Sequence, residues 1–176
     1  MARRTTAGLL PVDFFTSGYR VSGHVSTRVH SVGDMLNDRL TSYMEIENVY
    51  IARISSPGDI IATYAQAQLR KSNLLFAIVP GKESLSRATR SVSYYGKQRL
   101  PVWIALPTVE ITGELQVAAV SFDLETYLAK STGDYLAVLD ATARAALYPD
   151  VTFSGEAFLV NKHSIDLFCL SDNKSR

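Results

Sequence analysis

Tyr19–Val29 reads Y-R-V-S-G-H-V-S-T-R-V, and Val109–Ala119 reads V-E-I-T-G-E-L-Q-V-A-A. In both stretches apolar residues alternate with polar ones, the period-two pattern of a strand with one buried face. A glycine occupies the same step in each, Gly23 and Gly113. A mid-strand glycine marks a bend or bulge, the device that curls a small sheet. Self-similarity of this kind decides the architecture, so it is followed outward before any motif is weighed.

The matches continue in order. Ser31-Val32-Gly33-Asp34 has the spacing of a helix N-cap and predicts a short helix through Met35, Leu36 and Leu40. Ser121 plays the same part before Leu124, Tyr127 and Leu128. Tyr43–Glu47 answers Tyr135–Leu139, Thr63-Tyr64 answers Thr152-Phe153, and Lys71 answers Lys162. Ala141–Leu147 has helical propensity, yet its counterpart Val49–Ile54 is β in character. The repeat is the stronger information, so a strand is expected there.

The resulting expectation is an all-β protein of two tandem small, strongly bent β-barrels, each with one short helix. Residues 1–18 form an N-terminal arm whose Phe14 and Phe15 pack onto the first barrel. The first repeat spans 19–80, a basic linker 81–108, the second repeat 109–171, and a polar tail 172–176. Glu83–Arg90 reads as a helical turn or two. Leu100–Pro107, apolar between two prolines, reads as an edge strand lying across both units.

Charge separates the copies. Residues 1–100 carry 13 Lys/Arg against 7 Asp/Glu, and residues 101–176 carry 5 against 10. Arg20 and His24 in the first copy answer Glu110 and Glu114 in the second. These four are candidate self-association residues, because a basic face meeting an acidic one favours a head-to-tail register. The alternative reading is binding of RNA or single-stranded DNA. Arg20, His24, Arg28, Arg87, Arg90, Lys97 and Arg99, interleaved with Tyr94 and Tyr95, offer cations and stacking platforms. Against this stands a sequence pI near 7.8, low for a nucleic-acid-binding domain. A small-molecule site between the repeats is a third, weaker reading.

Catalytic equipment is scarce. The chain has no phosphate-binding loop, no dinucleotide fingerprint and no nucleophile elbow. His30, Asp34 and Asp38 have helical spacing, but Asp34 is explained by capping and no further His or Cys joins them. The single cysteine, Cys169, allows no intrachain disulfide. These features point to a non-enzymatic module without cofactor or metal, acting with a protein partner or its own copies. No signal peptide or membrane span is read, and the expected compartment is the cytoplasm.

Gly23-His24-Val25 followed by Ser31-Val32-Gly33-Asp34-Met35-Leu36-Asn37 resembles a family of uncharacterised bacterial small-barrel domains. Its signature is a strand, G-x-V, then S-x-x-D-x-L-N. The likeness covers 19–54, and the second copy keeps only the cap and the acid, in Ser121-Phe122-Asp123-Leu124. The helix-and-strands order also resembles the Sm-like barrel. That resemblance implies ring assembly or RNA contact by analogy alone.

Overall fold

A computed structural model describes residues 8–85, 97–118, 122–130 and 133–171. Among the described residues the chain is all-β apart from two short helices and three 3-10 turns. In order the strands are β1 (Leu9–Phe15), β2 (Tyr19–Ser26), β3 (Tyr43–Arg53), β4 (Ser56–Arg70), β5 (Phe76–Val79), β6 (Lys97–Leu106), β7 (Val109–Ala118), β8 (Tyr135–Ala145), β9 (Tyr148–Asn161) and β10 (Leu167–Leu170). Helix α1 (Val32–Asn37) lies between β2 and β3, and α2 (Leu124–Lys130) between β7 and β8. Ser31 caps α1: its hydroxyl accepts from the Asp34 N–H at 3.1 Å and donates to the Asp34 carboxylate at 2.7 Å.

Two separate barrels were expected, but the strands form one continuous ten-stranded sheet, in the order β10-β6-β7-β8-β9-β5-β1-β2-β3-β4. Within it the order fifth-first-second-third-fourth occurs twice, once in each half of the chain. The halves join where β5 pairs antiparallel with β9, Phe76 opposite Val160 through Val79 opposite Ala157. Every strand pair is antiparallel.

The joining strands bury both faces. One core cluster lies in the C-terminal half around Ile104, Ile111, Val138 and Phe158, and takes Phe15, Ile54, Leu75 and Phe76 from the other half. The second surrounds Phe14, Val25, Leu36 and Ile46, and takes Tyr135, Leu139, Ala157 and Leu159 in return. Alternate residues of one strand therefore feed different cores. Such strands read as unbroken apolar runs, F-A-I-V at 76–79 and A-F-L-V at 157–160, as doubly buried strands must. The Phe15 and Phe76 rings stack at 4.3 Å, and Phe76 and Phe158 at 5.3 Å, across the junction.

Gly23 and Gly113 sit where the register of β2 with β3 and of β7 with β8 shifts. A Cβ at Gly113 would lie 2.6 Å from Val138 Cγ1 and 3.0 Å from the Leu139 carbonyl; one at Gly23 would strike Ile46. Opposite each bulge the facing strand passes through a left-handed residue, Asn48 (φ 51°) or Asp140 (φ 47°). Asn and Asp tolerate that conformation better than other side chains.

Three further expectations change. The segment read as an arm contains β1, which pairs with both β2 and β5, so Phe14 and Phe15 are core residues of a strand. The segment read as a linker contains β6, which is not an edge but lies between β7 and β10. Pro101 survives there because it stands opposite Glu114 as Pro11 stands opposite His24, one step past the bulge glycine. Thr63 faces Tyr50 as Ser154 faces Thr142, so Ser154, not Thr152, is the counterpart of Thr63. Of Glu83–Arg90, Glu83 and Ser84 belong to a 3-10 turn over Lys82–Ser84 that Leu85 closes, and 86–90 lie outside the described residues, as does Ser121. Ala141–Ala145 is strand, as the repeat required.

Candidate functional site: one closed seam and two open edges

The β5–β9 seam is the most elaborately bonded boundary in the sheet. The Asn161 backbone N–H donates to Leu75 O at 2.9 Å and its side-chain amide to Leu74 O at 2.8 Å. The Tyr135 phenol donates to Lys71 O at 2.6 Å, and burial pushes that phenol's pKa well up. At the C-terminal end of α1, Asn37 Oδ1 accepts from the Tyr135 N–H at 2.9 Å. Arg39 clamps Asp134 with two bonds, at 2.7 and 3.2 Å, and His163 Nε2 lies 3.2 Å from the same carboxylate. The Arg39 hydrogen bonds hold the Asp134 carboxyl below its usual range. Lys71 is buried, and its ammonium donates to Asp38 O (2.9 Å) and Thr41 Oγ1 (2.8 Å) while desolvation lowers its pKa.

Among the described residues the two outermost strands have no such cover. β4 pairs with β3 on one side, and β10 with β6 on one side. Ile60–Leu69 (I-I-A-T-Y-A-Q-A-Q-L) contains no charge and no proline, and Ile60, Ile61 and Tyr64 are exposed on it. Natural edges are ordinarily protected by charges, prolines or bulges, because an unprotected edge is a template for another strand; on β4 the proline, the acid and the register shifts (Pro57, Asp59, Ile60–Ala62) lie at its start, away from Thr63–Leu69. β10 (L-F-C-L) is equally unprotected, with Leu167 54% exposed.

The residues singled out from sequence fall elsewhere. Arg20 lies on β2 inside the sheet. Its guanidinium donates to Asp13 at 2.9 and 3.3 Å, and Ser22 Oγ donates to the same carboxylate. Arg99 on β6 is held between Glu114 (2.7 Å) and Asp140 (2.8 Å). Glu110 stands on β7 opposite Arg144 of β8, and Arg28 follows β2, its side chain lining a shallow hollow with Glu45 and Glu47. Lys97 opens β6. Arg87, Arg90, Tyr94 and Tyr95 lie outside the described residues. The structure thus brings none of the four proposed self-association residues to an edge strand, and it joins Arg99 to Glu114 instead.

His24 borders a groove of about 500 Å³ where β1, β2 and β5 meet β9, with Asp13, Ser22, Tyr50, Ser154 and Glu156 around it. Its Nδ1 is enclosed without a hydrogen-bond partner. Among the described residues no group of three or more His, Cys, Asp or Glu side chains converges as a metal site would require, and no helix is long and apolar enough to cross a membrane. The edge residues carry no charge to mark them in the sequence. The signal was there as its absence, ten uncharged residues in a strand pattern. Set against known proteins, this chain matches no protein-family model, no curated protein and no solved structure.

Proposed function

We propose that this chain is a non-enzymatic binding or assembly module that works by strand addition at its open sheet edges. Its halves are read as tandem copies of one small, strongly bent β unit, the first offering β4 to a partner and the second β10. One observation carries the reading: the edge of β4 is long, uncharged and largely exposed over Ile60–Leu69, a row of backbone groups open to a partner strand. The nucleic-acid reading loses weight because Arg20 and Arg99 already spend their charge on Asp13, Glu114 and Asp140. With one cysteine and no internal disulfide to form, the chain suits a reducing compartment such as the cytoplasm.

The test is a labelled peptide of the seam strand, residues 74–80, titrated into dilute protein. Saturable binding is expected, lost in Gln68→Pro. Proline there removes only an outward amide: the Lys71 N–H donates to Ser42 O, so by antiparallel alternation the N–H groups of Gln66, Gln68 and Arg70 point away from β3. Equal binding to wild type and Gln68→Pro, or none to either, would refute strand addition.

A further inference from the structure

We infer that the strand added to β4 is β10 of a second copy of this chain, antiparallel and in the register of the internal seam. This rests on the strand-addition reading and names its partner. The seam already unites the last strand of one half with the fourth strand of the other. Among the described residues β10 and β4 are the two strands of those kinds left open, and they lie at opposite ends of one sheet. A contact between two different surfaces of the same molecule continues from copy to copy, closing into a ring or running on as a filament according to its rotation.

The register follows residue by residue. Tyr43 opposite Arg70 matches Tyr135 opposite Asn161, and the 3-10 turns Lys71–Asn73 and Lys162–Ser164 align β5 with β10. The seam pairs Phe76 with Val160 and Ile78 with Phe158. Transferred outward, they place Leu167 opposite Leu69 and Cys169 opposite Ala67 of the next copy. Hydrogen-bonding phase agrees from both sides. On β4 the outward amides are those of Gln66 and Gln68. On β10 the Ser171 N–H donates inward to Pro101 O, so Phe168 and Leu170 point out and meet them.

Side chains agree as well. The seam pair Leu75 and Asn161 becomes Asp166 and Arg70, opposite charges directly across from one another and both exposed. Tyr135 is 7% exposed with its phenol on the Lys71 carbonyl, whereas Tyr43, which stands in its place, is 53% exposed. In the assembled register Tyr43 reaches the Lys162 carbonyl of the neighbour. Ala157 and Leu159 of the seam are replaced on β4 by Gln66 and Gln68. Polar residues there let the free edge face water and make the contact between copies reversible.

Because the Asn161 N–H to Leu75 O bond fixes a hydrogen-bonded pair, Ile78 with Phe158 is a non-hydrogen-bonded pair, the closer kind. Cys169 and Ala67 inherit that proximity, so Ala67→Cys is the experiment. Mild oxidation should give a ladder of disulfide-linked dimers, trimers and larger species that reductant collapses. The ladder should vanish in Ala67→Cys/Cys169→Ser and in Ala67→Cys/Gln68→Pro. Adding Arg70→Glu should lower its yield about two- to fivefold, the scale of a cross-strand charge pair, and Asp166→Arg on top should restore it. Sedimentation of wild type against Gln68→Pro, each checked by near-ultraviolet dichroism, reads the same contact without an added thiol. No ladder while the 74–80 peptide still binds would mean that the edge takes a foreign strand, overturning the second copy alone. Loss of both overturns the strand-addition reading too. A product confined to dimers, or a ladder indifferent to Gln68→Pro, overturns the register.

Discussion

Tyr135 and Tyr43 open equivalent strands and face equivalent partners, Asn161 and Arg70. One is sealed inside the molecule and the other stands in solvent. The same divergence runs along the strands that follow. β9 ends in five buried residues, Ala157–Asn161, whereas β4 ends in exposed and half-buried ones. Backbone geometry is shared, so what differs is the neighbour: β9 has β5 on its outer side, and β4 has no strand there among the described residues. The comparison teaches that burial here is not a property of the strand but of the boundary it completes. Where that boundary is covered the sequence turns apolar on both faces, and where it is open glutamines replace alanine and leucine.

The largest break in this contrast is expected from Phe76. Phe76→Ala removes the ring stacked between Phe15 and Phe158 and should cost about 3–5 kcal/mol. Leu167→Ala, at the matching place on the open edge, should change dilute monomer stability by less than ~0.5 kcal/mol. Paired urea denaturation curves check both. Next come the bulge glycines. Gly113→Ala drives a methyl against Val138 and the Leu139 carbonyl and should cost about 1–3 kcal/mol, with Gly23→Ala close behind by its contact with Ile46. Equal tolerance of both would break the close-packing account of the bulges.

Tyr135→Phe is a subtler probe. It should cost about 0.5–1.5 kcal/mol through the lost bond to the Lys71 carbonyl, while Tyr43→Phe should leave the monomer unchanged. The pair also differs in pH response. Burial raises the Tyr135 pKa in the fold, so above pH ~10 the unfolded chain releases a proton that the folded chain retains. Stability should therefore fall as pH rises past that point, and Tyr135→Phe should flatten the decline. The smallest effect is expected at Arg39, whose pair with Asp134 is largely exposed. The lowered Asp134 pKa makes its contribution present above about pH 4 and lost as acid protonates the carboxylate. Arg39→Ala should weaken that acid dependence, leaving the part due to His163, and leave the high-salt denaturation curve unchanged.

Much of the strand order was legible because the bulge in each half carries a glycine, Gly23 or Gly113, and because Ser31 caps its helix. The first strand of each half was also written down, as Leu10-Pro11-Val12 inside the segment read as an arm and as Leu100-Pro101-Val102 inside the one read as an edge strand. Proline at the same step disguised both, since it usually argues against an inner strand. Interpenetration of the cores was not legible. Whether Phe14 and Phe15 feed one core or two depends on which strand lies beyond them, and period-two patterning carries no such information. Candidate charges misled for a related reason. Arg20 and Arg99 look alike as solvent-facing cations, but Asp13 on the neighbouring β1 and Asp140, distant in sequence from Arg99, neutralise them within the sheet.

Phe15, Leu75 and Phe76 complete a core built by the C-terminal half, and Tyr135, Ala157 and Leu159 complete the one built by the N-terminal half. Neither half owns its interior. Cleavage of the chain between residues 90 and 91 would thus leave two fragments that hold one another as a non-covalent complex, and neither would be a folded domain in isolation. Urea would melt the intact chain in a single transition, because to loosen one hydrophobic cluster is to strip the other of the aromatic and aliphatic side chains it borrows.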